Sequence, residues 1–284
     1  MNSILKSVFI AFLPLIGLYY TIMSTTSIIA HGLSAPIYFG QILIALSITL
    51  FFVLLFLKPV ARTDENLKVY TTPIIIGLLI SLWFGGFKES NINRILPSLG
   101  LFLGWVLYLK WYSIFSNRSE NVILKKGFKF PKLEFLDINK NEVTTNEFHG
   151  NPTIYLFYRG NWCPLCMMQI NEIASQYKEL EKRKVNIVLI SPQPHKHSKS
   201  LAEKYGLNFH FLQDYKNKAA KKIKILAKNG LPMGLQVFGY ESDTVLPTVI
   251  ITDSNHTIIF ADLTDNYRVR PEPSTFINVI DSIS

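Results

Sequence analysis

Two cysteines occur in this 284-residue chain, and both sit in one motif, Trp162-Cys163-Pro164-Leu165-Cys166. With no third thiol, a disulfide framework and a four-thiolate zinc site are excluded. A Cys-x-x-Cys pair at a strand-to-helix turn is the arrangement of a dithiol redox centre. The apolar run Thr153–Tyr158 predicts a buried strand directly before the motif, and Cys163 to about Lys182 predicts a helix. Cys163 then caps that helix. The partial positive charge and free N–H groups there are expected to lower its pKa. Pro164 suits the first helical turn, where no N–H is needed. Cys166, three residues on, shares the helix face and can close a disulfide. In this reading Cys163 attacks and Cys166 resolves. The alternatives are a static disulfide, which would gain little entropy over so short a loop, or half a zinc site completed by His195 and His197 from an expected loop at 191–195.

The elements that must position the pair alternate between strand and helix. Ile170, Ile173, Tyr177 and Leu180 repeat at helical spacing. Val185–Ile190 and Asn208–Gln213 read as strands, with a short helix from Ser198 to Tyr205 between them. A lysine-rich helix is expected from Asn217 to Lys228, with Ala219, Ile223 and Leu226 on its apolar face. Val245–Ile251 and Thr257–Ala261 read as a final hairpin, and Pro273–Ile283 as a terminal helix. Such alternation argues for an α/β domain. His149, His210 and His256 read as isolated.

From about Phe128 onward the chain resembles the redoxins of the thioredoxin superfamily, in particular the peroxiredoxin-like branch of the AhpC/TSA family. The matching pieces are Tyr158–Cys166, Leu246-Pro247-Thr248 and Tyr267–Pro273. The resemblance implies a thioredoxin-like fold, a cis bond before Pro247, and an active-site environment of Arg159, Trp162, Pro164, Pro247 and Thr248 around catalytic Cys163 and Cys166. It implies reduction of disulfides or peroxides, with an external thiol reductant such as a thioredoxin or glutathione system. No cofactor is implied beyond the redox-active disulfide, and no metal. The sequence departs from the family at Leu156 and Gly160, where peroxiredoxins carry a proline and a threonine. Arg159 is the residue expected to supply positive charge near Cys163, and Trp162 follows the thioredoxin pattern instead. Arg268 and Arg270 match the family's active-site arginine by loose position only.

The first 115 residues are of another kind. Apolar stretches at about Ser7–Met23, Ile37–Leu57, Tyr70–Phe87 and Ile95–Phe115 each approach the length of a membrane-spanning helix. Tyr19, Tyr20, Trp83, Trp105, Tyr108, Trp111 and Tyr112 cluster toward their ends. The expected organisation is therefore an all-α four-helix transmembrane region (1–115), a linker (116–127) and an α/β thioredoxin-like domain (128–284). Lys6, Lys58, Arg62, Lys68, Arg118, Lys125 and Lys126 fall on one side of a four-span arrangement, and only Lys88 and Arg94 on the other. That bias favours both termini in the cytoplasm, with a periplasmic redoxin as the alternative. The apolar region has no cysteine to carry electrons and no acidic residue within its spans, so an anchor is the default. Gly100 and Gly104 make a weak helix-pairing motif. Net charge is +9. Lys216, Lys218, Lys221, Lys222, Lys224 and Lys228 suit either anionic lipid or plain solvent, and no motif points to nucleic acid. The reading as a membrane-anchored thiol oxidoreductase has two rivals, a non-enzymatic membrane redox sensor and a metal-carrying dithiol protein.

Overall fold

Long apolar runs without charge form helices because the helix satisfies its own backbone polar groups. In the computed structural model, which describes residues 2–32, 35–85, 92–115, 118 and 120–282, these are α1 (Asn2–His31), α2 (Ile37–Leu57), α3 (Lys68–Gly85) and α4 (Ile92–Leu107), the last running on as a π-type turn over Tyr108–Tyr112. All four are long and apolar enough to cross a membrane. The second agrees with expectation residue for residue. The first extends beyond Met23 to His31, because the hydroxyls of Thr25 and Thr26 donate back to the carbonyls of Thr21 (2.7 Å) and Met23 (2.9 Å), so polar side chains do not break it. Phe87 and Lys88 lie outside the described residues, as do Ser116, Asn117, Ser119 and Ile283.

The chain divides into two units. In the helical unit (Leu5–Pro59 and Thr63–Ile114), α2 and α3 meet at glycines. A Cβ on Gly40 would lie 2.5 Å from the Gly77 carbonyl oxygen, and one on Gly77 would lie 2.6 Å from that of Gly40. The expected Gly100–Gly104 motif is only half used: a Cβ on Gly104 would touch Leu13, and one on Gly100 would touch nothing within 4 Å. Phe51 lies at the centre of an aromatic cluster with Phe52, Tyr70, Trp105 and Tyr108. Trp105 donates its indole N–H to Thr71 Oγ1 (2.9 Å), and Ser98 bonds Ser81 (2.9 Å).

The second unit takes in Met1–Ile4, Val60–Arg62 and Phe115–Ser284. Its seven-stranded mixed sheet has the order β2 (Glu142–Thr144), β1 (Glu134–Leu136), β5 (His210–Gln213), β4 (Asn186–Ser191), β3 (Thr153–Phe157), β8 (Thr248–Thr252), β9 (Ile258–Ala261). The central β3 runs parallel to β4 and antiparallel to β8, and every one of its residues is buried, as a continuous apolar run requires. Helices α5 (Pro164–Ser175), α6 (Tyr177–Lys182), α7 (His195–Tyr205), α8 (Lys218–Lys222) and α9 (Pro273–Asp281) complete it, with a two-stranded ribbon of β6 (Leu226–Ala227) and β7 (Thr244–Val245).

Several expected elements change. The helix after the motif is two helices, interrupted at Gln176. His195 and His197 open α7 rather than lying in a loop. The lysine-rich helix stops at Lys222: Lys224 takes φ +58°, and the chain turns into β6, leaving Ala219 and Ile223 buried. Val245–Ile251 is two strands, since Val245 pairs with Leu226 and Thr248 with Phe157, in different sheets. His256 is not isolated but stacks on His149 with ring centroids 3.8 Å apart. Of the expected linker, Asn121 and Leu124 are buried, and Asn121 donates to the Ile223 carbonyl (2.8 Å).

Candidate active site

Strand β3 delivers the chain to the redox motif. Tyr158 continues its pairing by donating to the Ile190 carbonyl (2.9 Å), and the chain then bends at Gly160. Gly160 holds φ +145°, and a Cβ there would lie 2.8 Å from two atoms of the Trp162 indole. The indole therefore occupies the room a side chain at 160 would need, which is the physical reason no threonine stands there. Gln193 accepts from the Asn161 N–H (2.8 Å), and Cys163 N–H closes the turn onto the Gly160 carbonyl (3.2 Å).

Cys163 caps α5 with extended backbone (φ −94°, ψ 106°), and Pro164 is the first helical residue. One turn on, Cys166 brings its sulfur to 2.9 Å from that of Cys163. Both are buried free thiols. Arg270 places Nη1 and Nη2 each 3.6 Å from Cys166 Sγ, while its Nη1 donates to Gln169 Oε1 (2.9 Å) and its Nε to the Tyr267 carbonyl (3.0 Å). Of the two arginines named by position, Arg270 is thus the one on the sulfur; Arg268 is fully buried, and its N–H donates to Asn266 Oδ1 (3.1 Å). Arg159 lies over the Trp162 ring at 4.8 Å and donates to the Gly230 carbonyl, and its charge acts to lower the Cys163 pKa.

The electrostatics put the lowered pKa on Cys166, not on Cys163 as expected. Two thiols in contact hold one negative charge between them. Burial pushes the Cys166 thiol up, but the hydrogen bond from Cys163 and the Arg270 charge outweigh it and bring Cys166 down to about 5. Cys163 is pushed up well above an ordinary thiol, first because it donates that hydrogen bond, then by burial. The bond between the two thiols, with the Arg270 charge beside it, thus sets the order within the pair.

Pro247 and Thr248 reach the same neighbourhood through β8. The bond before Pro247 is trans, as are all described peptide bonds, which corrects the cis expectation. Leu246 N–H is engaged by the Ile225 carbonyl (2.7 Å), and Thr248 Oγ1 donates to the Leu246 carbonyl (2.8 Å), so the extended trans segment is tied on both sides of the proline. Thr248 Oγ1 accepts from Arg118 Nη2 (2.6 Å). Arg118, read in the sequence only as a linker charge, is buried and also donates to the carbonyls of Asp262 (3.0 Å) and Thr264 (2.7 Å). Among the described residues, no group of three or more His, Cys, Asp or Glu side chains is placed to hold a metal ion.

The model of the AhpC/TSA family matches residues 127–261. The C-terminal half of this chain carries an AhpC/TSA, peroxiredoxin-like domain. Peroxiredoxin Q of Gentiana triflora chloroplasts is 27% identical over 99 residues, 35% of this chain and 46% of that one. Its counterpart from Suaeda salsa is 26% identical over 165 residues, 57% of this chain and 68% of that one. Among solved structures, peroxidoxin BcpB from Mycobacterium tuberculosis is 16% identical, with a TM-score of 0.47 over 57% of this chain and 99% of that one. The chain thus spans about half the length of the Gentiana protein. Arg118 and Arg270 both lie outside the residues of the peroxiredoxin-like domain that the family model matches.

Proposed function

We propose that this chain is a membrane-anchored thiol oxidoreductase whose Cys163–Cys166 pair reduces peroxides or disulfides. The observation that carries the reading is a dithiol with sulfurs 2.9 Å apart and a guanidinium 3.6 Å from one of them. That arrangement supports a thiolate at neutral pH and a resolving thiol already in contact. Cys163, at the helix cap, attacks while the Cys166 thiolate takes its proton across their hydrogen bond as the base. With a peroxide, the O–O bond breaks, the leaving oxygen takes that proton from Cys166 and departs as an alcohol or water, and Cys163 becomes a sulfenic acid. Cys166 then displaces hydroxide from that sulfur, and the disulfide forms. With a disulfide substrate the intermediate is a mixed disulfide. An external thiol, from a thioredoxin or glutathione system, returns the two electrons. The four apolar helices support anchoring in lipid, and the distribution of basic residues supports a cytoplasmic domain.

The test is the rate at which hydrogen peroxide consumes the thiols of the reduced full chain in detergent at neutral pH. A rate far above that of a free low-molecular-weight thiol is expected. A rate no faster would remove hydrogen peroxide as substrate and leave disulfide exchange. The depressed Cys166 thiol favours a second assignment, with Cys166 attacking. Cys163→Ser and Cys166→Ser distinguish them, since only the variant that keeps the attacking sulfur consumes one equivalent of peroxide. Turnover with a regenerating reductant separates either enzyme from a redox sensor, and stoichiometric copper or zinc retention would indicate a metal carrier.

A further inference from the structure

Three positions of α5 at three-residue spacing, Cys166, Gln169 and Glu172, form a short row along the helix. Arg270 serves the first two: its terminal nitrogens lie 3.6 Å from Cys166 Sγ, and its Nη1 donates to Gln169 Oε1 (2.9 Å). The third position is held by a different arginine. Arg62 donates from Nη1 to Glu172 Oε1 (3.1 Å) and from Nη2 to Oε2, a bidentate pair. The same guanidinium donates from Nε to the carbonyl of Arg270 (3.2 Å) and from Nη2 to that of Pro271 (3.2 Å). Arg62 therefore joins the helix that carries both cysteines to the backbone of the arginine that faces them. Residues 269–272 belong to neither helix nor strand, so no regular ladder of backbone bonds holds them in place. Val60–Arg62 is part of the α/β unit, although the chain runs through it between α2 and α3. It lies outside the residues that the family model matches.

An exposed ion pair contributes little. This one differs in geometry and company. It is bidentate, its two side chains are only 25% and 28% exposed, and its cation also serves two carbonyls. We propose that Arg62 is a positioning residue of the redox centre, holding the Arg270 backbone against α5 so that the Arg270 guanidinium stays on Cys166. It acts through Arg270. A lysine cannot replace it, because a single ammonium does not present the planar fork that spans a carboxylate and two carbonyls at once. The inference rests on the thiol-oxidoreductase reading for its consequence, a thiolate kept at neutral pH for turnover. A residue counted in the sequence only as a loop charge between two apolar helices is thereby assigned to the thiol pair. A fragment that starts at the linker lacks it, so every measurement uses the full chain in detergent.

The readout is the pH midpoint of iodoacetamide alkylation of the reduced chain, a property of the thiol pair that a purely structural contact would not move. Arg62→Ala and Glu172→Met break the tie from opposite ends and change the local charge in opposite senses. Asp262 and Arg118, whose charges also act on Arg270, stay the same in both. A cation in contact is worth roughly 1–3 units, so loosening Arg270 should raise the midpoint by about one unit in each variant. The double variant should rise no further than the larger single one, as expected of two residues in one contact. Arg62→Lys should recover less than half of the shift. An unchanged midpoint in Arg62→Ala would overturn the proposal. So would a rise there with a fall in Glu172→Met, or full recovery by Arg62→Lys, since each would mean that Arg62 acts through its charge alone. Glu172→Met keeps a good helix former on the helix surface, so its sign decides even if Arg62→Ala does not fold. The hydrogen peroxide rate is read in parallel and should fall as the midpoint rises. Shifted midpoints in a chain that consumes peroxide no faster than a free thiol would keep the positioning role and sink the peroxidase reading.

Discussion

At Cys166 a neighbouring thiol and a guanidinium together reverse what burial alone would impose. A thiol with no exposed surface should resist ionisation, yet contact with Arg270 and the bond from Cys163 bring it to about 5. The folded value lies below the ordinary one, so the thiolate is kept above pH 5 and lost as pH falls through it. Alkylation of the reduced chain by iodoacetamide should therefore show a midpoint near 5. In Arg270→Met that midpoint should climb by several units, and the neutral-pH rate should fall at least tenfold; an unchanged midpoint would remove Arg270 from the redox centre. The cysteine pair, Pro164 and the cap were legible because neighbours in sequence are neighbours in a helix. The choice between Arg268 and Arg270 was not, because they lie outside regular secondary structure, where no period says which side chain turns inward. Arg118 was invisible for a related reason: its side chain's hydrogen-bond partners lie 130 to 146 residues along the chain.

Helices and strands show the same division. The apolar runs of β3, β4 and α2 announced themselves by composition. Strands β1 and β2, three residues each, carry too few side chains for alternation to show. The break between β7 and β8 comes from pairing with different sheets, which no local pattern records. The close meeting of α2 and α3 leaves no local pattern because Gly40 and Gly77 lie on different helices, whereas Gly100 and Gly104 share one at a four-residue spacing. Gly77→Ala should destabilise the helical unit by about 1–3 kcal/mol through overpacking. Gly100→Ala, with open space around it, should stay within about 0.5 kcal/mol. Thermal unfolding of both variants in detergent checks this, and an equal response would show that the glycine contact does not carry the packing. The start of α8 offers a second check. The Asp214 carboxylate accepts from the N–H groups of Ala219 (2.9 Å) and Ala220 (2.8 Å), and Asp214→Ala should cost about 1–3 kcal/mol by leaving buried donors unpaired.

For the whole molecule, four apolar helices join a redox domain within one chain, and the basic residues argue for the side on which that domain works. In a Cys163→Ser, Cys166→Ser background, a single cysteine replacing Gly127 should react with a membrane-impermeant maleimide only after cells are opened. Labelling of intact cells would place the domain outside. How the chain is divided has a practical edge. The α/β unit does not begin where its family match begins: Arg118 is already built into it, serving one side chain and two backbone carbonyls. A soluble fragment cut at residue 121 would keep both thiols and the whole matched region, yet it would lose the guanidinium that holds Thr248 and the Asp262 and Thr264 carbonyls. Its kinetics would describe a domain whose Thr248 segment had lost that hold, so the scissors belong before Phe115.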